Sequence, residues 1–270
     1  MIKSRLIIAV LLLLGLTAPA LATAPPAPQA APATTADQAT VDPAQRPADI
    51  VDLTQAVPGV LLDMRYFGGH NFLGRPVAGY EAPKCLLTRP AALALARVQA
   101  QLSPLGLSLK IYDCYRPQRA VDDFVRWAKD ANDTLTKTEF YPTLDKKVLF
   151  PRGYIAAKSR HSRGSTVDLT IVALPAAPQP AFDPAQQVEC FKPAKARYAD
   201  NSLDMGTGYD CFHALANPLN LQVGPQQRAH RALLKTLMEA QGFHISAEEW
   251  WHYTYKPEPH PETYFDFPVR

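Results

Sequence analysis

The sequence predicts an α+β fold, with a central antiparallel or mixed sheet and helices packed on it. Three observations carry that expectation. Helix-period segments come early and β-rich segments later, separated by long irregular stretches. No strand-helix-strand rhythm recurs along the chain, and no glycine-rich phosphate loop opens a helix.

Taken in chain order, the first 22 residues form a leader. Lys3 and Arg5 precede an apolar run from Leu6 to Leu16, and the small residues Ala20 and Ala22 follow, which is the pattern of an export signal cleaved after Ala22. The apolar run is short for a membrane span, and no cysteine follows it closely, which argues against a lipid-anchored product. Residues 23–47 are almost wholly Ala, Pro, Thr and Gln, too poor in large apolar side chains to offset their ordering entropy, and read as a tether. Residues 48–270 then form a single domain, without internal repeats.

Within that domain, Thr88-Arg89-Pro90 and the following A-A-L-A-L-A-R-V-Q-A-Q-L read as a helix N-capped by Thr88, with proline in its first turn and a close near Gly106. Leu107, Leu109 and Ile111 alternate with Ser108, Lys110 and Tyr112, the pattern of a half-buried strand. Pro117 to Asp130 sets Ala120, Val121, Phe124, Val125 and Ala128 at helical spacing. Val167 to Leu174 and Trp250 to Tyr255 are β-rich runs. Between them Pro225 to Ala240 is a second long helix, stopped by Gly242. Pro175 to Asn220 is loop-rich, and M-G-T-G-Y-D within it reads as a tight turn.

Charge excludes one class of partner. The formal charge of +3 falls to about +1 once the leader is removed, and no basic run remains to hold nucleic acid. The four cysteines of an exported chain suggest two disulfides; proximity in sequence favours Cys85 with Cys114 and Cys190 with Cys211.

The chemistry-bearing residues cluster in two stretches. In S-R-H-S-R-G-S-T-V-D, His161 and Asp168 are seven apart, so on a straight strand they would face opposite ways; Gly164 supplies a turn that can bring them to one metal ion. A lone His/Asp pair of this kind equally suits a polar loop entering a strand. Catalytic zinc takes three protein ligands, and His252 in E-E-W-W-H-Y supplies a third. Glu249, three residues earlier, suits a general base, although the same pair also suits a surface carboxylate beside a core histidine. Arg116, in Y-D-C-Y-R-P-Q-R at a strand-to-helix corner, offers a fixed cationic fork for an oxyanion, or else an ion pair with Asp113 or Asp122. Arg119, inside the helix, is the weaker choice. His70, His213, His230, His244 and His260 read as structural or exposed.

These segments resemble the D-alanyl-D-alanine dipeptidases of the VanX type, within a wider group of zinc D-Ala-D-Ala peptidases. The resemblance runs over residues 57–270: N-F-L-G-R-P-V-A-G-Y, Y-D-C-Y-R-P-Q-R-A-V, L-T-K-T-E-F-Y-P, S-R-H-S-R-G-S-T-V-D-L-T, M-G-T-G-Y-D, E-W-W-H-Y and Y-F-D-F-P-V-R. It implies one Zn2+ per chain on His161, Asp168 and His252, Glu249 as general base and then acid, and Arg116 at the transition state. It further implies that Asp210 and Ser159 hold a dipeptide's free ammonium, with Tyr66, or less well Tyr80, lining that pocket. The leader, the tether, the cysteines and a longer segment between Leu174 and Met205 depart from the cytosolic resistance members, which points to periplasmic turnover of free dipeptide. Two other readings stand beside this one: a D,D- or L,D-carboxypeptidase on the same zinc scaffold, and a non-catalytic wall-binding module.

Overall fold

The computed structural model describes residues 42–270. The leader and residues 23–41 of the tether lie outside the described residues. The tether's last residues are in contact with the domain: Asp266 N donates to Pro43 O at 2.7 Å, and the Arg46 guanidinium bonds Ile50 O.

A five-stranded mixed sheet organises the chain. Its strands are β2 (Leu61–Leu62), β4 (Leu107–Asp113), β5 (Thr166–Ala173), β6 (Phe243–Ile245) and β7 (His252–Tyr255), in the order β2-β4-β5-β7-β6. Only β2 and β4 run parallel; the other neighbours are antiparallel. Apart from it, β1 (Ile50–Asp52) pairs with β3 (Leu86–Thr88), and two one-turn helices, α1 (Leu53–Ala56) and α4 (Lys137–Phe140), lie between the longer elements. This bears out the α+β expectation.

Side chains alternate across the central strands, and the two faces differ in kind. Leu109 and Ile111 of β4 and Val167, Leu169 and Ile171 of β5 join one core with Leu95, Val98 and Leu102 of α2 (Arg89–Leu102) and Leu234 and Met238 of α5 (Pro225–Ala240). Those helices form because apolar residues recur every three or four positions and meet a sheet that needs covering. Lys110, Asp168 and Thr170 are on the opposite face of the sheet. A second apolar cluster borders it: Phe124 and Trp127 of α3 (Gln118–Lys129), Tyr66, Phe72, and Phe265, Phe267 and Val269 of the C-terminal tail. The terminal Y-F-D-F-P-V-R is therefore core, with Phe267 stacked on Tyr115 at 4.1 Å.

Two expectations need adjustment. Thr88 precedes α2 but its hydroxyl does not cap the helix; it bonds the Ser165 hydroxyl at 2.8 Å, tying β3 to the entry of β5. The last strand begins at His252, because Trp250 and Trp251 lie in a turn with both indoles buried. The loop-rich region is threaded by short turns and fastened by a disulfide.

Both expected disulfides are present. Cys85–Cys114 joins the approach to β3 to the end of β4, and Cys190–Cys211 joins the long loop to the residue after Asp210. Among the described residues no helix is long and apolar enough to cross a membrane.

Candidate active site

A turn, two strands and a loop converge on the sheet's polar face. Ser159 opens a short 3-10 turn, Arg160–Arg163, its hydroxyl accepting from His161 N at 3.3 Å. Gly164 closes that turn at φ 77°, a conformation that suits glycine, and a Cβ there would come within 2.9 Å of Ile50 Cδ1. The chain then enters β5, so the reversal carries His161 back to the face of Asp168.

Strand pairing supplies the rest of the row. Asp168 stands opposite His252 on β7, and a register shift after Ile111 sets Asp113 rather than Tyr112 opposite Asp168 on β4. Such a shift re-aims a side chain at the end of a strand.

Three electron-pair donors meet closely. His161 Nε2 lies 3.3 Å from Asp168 Oδ1 and 3.2 Å from His252 Nδ1, and His252 Nδ1 lies 3.2 Å from Asp168 Oδ1. Four ligands held tetrahedrally at roughly 2.0–2.1 Å have edges of about 3.3–3.4 Å, so these spacings fit a small tetrahedral cation such as zinc. Asp168 Oδ1 is buried with no hydrogen bond, an orphan that a cation would satisfy. His161 Nδ1 lies 2.7 Å from Cys114 O, which assigns the ring's proton to Nδ1 and leaves the Nε2 lone pair facing the triad. Burial keeps His161 below the ordinary imidazole value, against the pull of Asp168. Burial alone would raise Asp168, but the two imidazoles, His161 foremost, outweigh it and hold the carboxyl far below its usual range.

The triad borders a cavity of about 560 Å³ whose lining includes Tyr66, Arg116, Ser159, Asp168, Asp210, Glu249 and His252. His161, 1 % exposed, lies behind the lining. The structure thus gathers all eight residues singled out in the sequence.

Glu249 Oε2 is 3.5 Å from His252 Nδ1, and burial pushes its carboxyl up to about 7 against the lowering effect of His252. Arg116 donates to Asp113 Oδ2 from Nε at 2.9 Å and is packed over the rings of Tyr66 and Phe124, each 5.0 Å away. The ion pair with Asp113 is one of the two the sequence allowed, and it leaves Arg116 lining the cavity. Tyr80 supports that pair from behind, donating to Asp113 Oδ1 at 2.6 Å. Arg119 pairs with Asp266, which is away from the cavity lining.

The M-G-T-G-Y-D turn presents Asp210. Arg231 of α5 donates to Met205 O, Leu215 O and Asn217 O, and Trp250 Nε1 donates to Thr207 Oγ1, pinning the first half of the turn and the segment that follows it. Gly206 adopts φ 91° and abuts Val223, where a Cβ would fall 2.8 Å from Cγ1. Asp210 itself has φ 54°, and its Oδ2 accepts from Tyr66 OH at 2.8 Å. Burial, with the negative charge of Asp168, lifts the Asp210 carboxyl well above its usual range. Among the described residues no cation pairs with it.

One residue with a positioning contact was not singled out, Tyr209, whose hydroxyl reaches Asp168 Oδ2 at 3.0 Å; Asp113, named in the sequence only as one of two ion-pair partners for Arg116, is the one that Arg116 bonds. Tyr209 directly precedes Asp210, which was singled out. His244 is exposed, as expected, and lines the cavity.

An α+β sheet bearing two imidazoles and a carboxylate on its polar face, with a glutamate and an arginine at the same cavity, defines the class: a metallopeptidase. The chain belongs to the D-Ala-D-Ala dipeptidase family of peptidases, family M15, whose profile matches residues 46–176 and 196–270. A D-alanyl-D-alanine dipeptidase of Streptomyces coelicolor is 39 % identical over 221 residues, 82 % of this chain and 98 % of its own. One from Enterococcus faecalis is 36 % identical over 217 residues, 80 % of this chain and 96 % of its own. One from Escherichia coli is 27 % identical over 205 residues, 76 % of this chain and 83 % of its own. Residues 177–195 lie between the two matched stretches.

Proposed function

We propose that the chain is a zinc-dependent D-alanyl-D-alanine dipeptidase, exported to the periplasm, that splits free dipeptide released from the cell wall into two D-alanines. One observation carries the zinc reading above the others: three donors 3.2–3.3 Å apart, with Asp168 Oδ1 buried and unbonded. His161, Asp168 and His252 hold the ion. Bound there, zinc polarises a peptide carbonyl and makes water a stronger acid.

The chain's own residues do the rest. Glu249 takes a proton from the attacking water and returns it to the leaving amine, which departs as the second D-alanine. Arg116, braced by Asp113, donates to the oxyanion that forms at the substrate carbonyl. Asp210 receives the substrate's ammonium, as its burial without a cation favours, and Tyr66 and Ser159 line that end. An acylated nitrogen leaves Asp210 buried and unpaired, at a cost on the order of a few kcal/mol, so peptidoglycan stems are poor substrates. Export rests on the leader and agrees with two disulfides.

The test is release of D-alanine by the purified protein from free and from N-acetylated D-Ala-D-Ala, with and without a chelator. Chelator-sensitive cleavage of the free dipeptide alone is expected. Cleavage of the acetylated form would move the chain to the carboxypeptidases. No cleavage of either by zinc-loaded protein would leave a binding module.

A further inference from the structure

We propose that Tyr209 is a positioning residue for the metal site: its hydroxyl holds the outer oxygen of Asp168 and so aims the inner oxygen at the cation. The inference rests on the reading of His161, Asp168 and His252 as zinc ligands and extends it to a residue on the substrate-side loop.

The two oxygens of Asp168 have different surroundings. Oδ1 faces His161 Nε2 and His252 Nδ1 at 3.3 and 3.2 Å and makes no hydrogen bond. Oδ2 accepts from Tyr209 OH at 3.0 Å, while Arg116 Nη2 stands 3.5 Å off. An ionised carboxylate only accepts, so the proton in the shorter contact is the phenol's. Tyr209 OH also lies 3.3 Å from Tyr66 OH, but Tyr66 gives its own proton to Asp210 at 2.8 Å. Each phenol therefore serves one carboxylate, Tyr209 at the metal end and Tyr66 at the ammonium end.

The Tyr209 ring is fixed. It stacks on Tyr112 at 4.4 Å and 20°, and meets Trp251 edge-on at 5.5 Å. Tyr112 is anchored in turn by donating to Asp200 at 2.7 Å. Just before Tyr209, Gly208 N donates to Cys190 O at 2.8 Å, so the disulfide-fastened loop holds the backbone as well. A phenol delivered this rigidly allows Asp168 one orientation, with a single oxygen presented to the ion. An unsupported carboxylate could swing to offer either oxygen or both, and would lose that freedom on binding. Partners of this kind behind a metal ligand are worth about 10–100-fold in affinity.

Tyr209→Phe removes the hydroxyl and keeps the ring and its stacking. Zinc affinity of the full chain is measured by competition with a chelating dye, beside Tyr66→Phe and the wild type. Tyr209→Phe is expected to bind zinc about 10-fold more weakly and to lower kcat with little change in KM. Tyr66→Phe is expected to keep wild-type zinc affinity and raise KM. Equal zinc affinity in wild type and Tyr209→Phe overturns the inference while leaving the metal site standing, and so does equal weakening by both variants. A wild type that binds no zinc defeats the metal reading itself. Should Tyr209→Phe fail to fold, a crystal structure of the zinc-loaded wild type decides: Asp168 bound through Oδ1 alone supports the inference, and bidentate Asp168 overturns it.

Discussion

His161 Nδ1 and the carbonyl oxygen of Cys114 lie 2.7 Å apart, so one imidazole of the triad is oriented by a residue that is itself half of a disulfide. That bridge closes a loop of sequence separation 29 and pins the end of β4 behind His161. Replacing Cys85 and Cys114 together by serine should lower the unfolding free energy by about 3 kcal/mol in a urea titration. Zinc should also bind several-fold more weakly, because the carbonyl loses its tether. Unchanged zinc affinity in a destabilised double variant would show that the carbonyl is held well enough without the bridge.

Glu249→Gln keeps size and hydrogen bonding while removing the base. Turnover of free D-Ala-D-Ala should fall on the order of 10²–10⁴-fold, with KM and bound zinc near wild type. Loss of zinc in parallel with activity would recast Glu249 as a ligand.

At Asp210 the backbone sits at φ 54°, which asparagine tolerates as well as aspartate, so Asp210→Asn should fold. KM for the free dipeptide should rise at least about 10-fold, the effect of losing a charged partner for an ammonium. The preference for free over N-acetylated dipeptide should shrink in the same variant. A preserved preference would mean that another group reads the amine.

Acid stability should report a second buried cluster. Arg65 lies 2.9 Å from Asp63 and 2.8 Å from Asp200, and Lys110 lies 3.1 and 2.9 Å from the same two carboxylates. Burial raises both carboxyls, yet Arg65 and Lys110 outweigh it and hold each below its ordinary value. A group whose folded pKa is depressed stabilises fully above its unfolded value, about 3.9 for aspartate, and loses that contribution as pH falls through the folded value. The urea midpoint of metal-free protein should therefore hold between pH 7 and 5 and drop below about pH 4. Asp200→Asn should cost on the order of 3 kcal/mol at pH 7 and drop less steeply in acid. Parallel acid profiles for the two proteins would remove this cluster as the cause.

The sequence was most readable where periodicity is sustained. The helices starting at Arg89, Gln118 and Pro225 and the strands starting at Leu107 and Thr166 each repeat an apolar pattern long enough to count. The strands β1, β2, β3 and β6, two or three residues each, carry no such pattern, and their pairing is set by distant partners such as Ile50 with Thr88 and Leu61 with Lys110. At the site, the convergence of His161, Asp168, His252 and Glu249 could be anticipated from residue type and spacing. Asp113 could be read only as one of two possible partners of Arg116, because its place in the row depends on a register shift that no local pattern announces. Tyr209 escaped for a similar reason: its hydroxyl matters only once the loop is folded over Asp168.

Asp113, Asp168 and His252 form one row across three neighbouring strands. A strand's side chains change face with every residue, so one residue inserted between Gly164 and Asp168, or deleted there, would turn the carboxylate toward α2 and α5 and an apolar neighbour toward the cavity. A length change in this short span would therefore break up the candidate metal triad. Residues 177–195 lie beyond the end of β5, where added length does not alter which face Asp168 meets. Added length there would leave the row of Asp113, Asp168 and His252 in register.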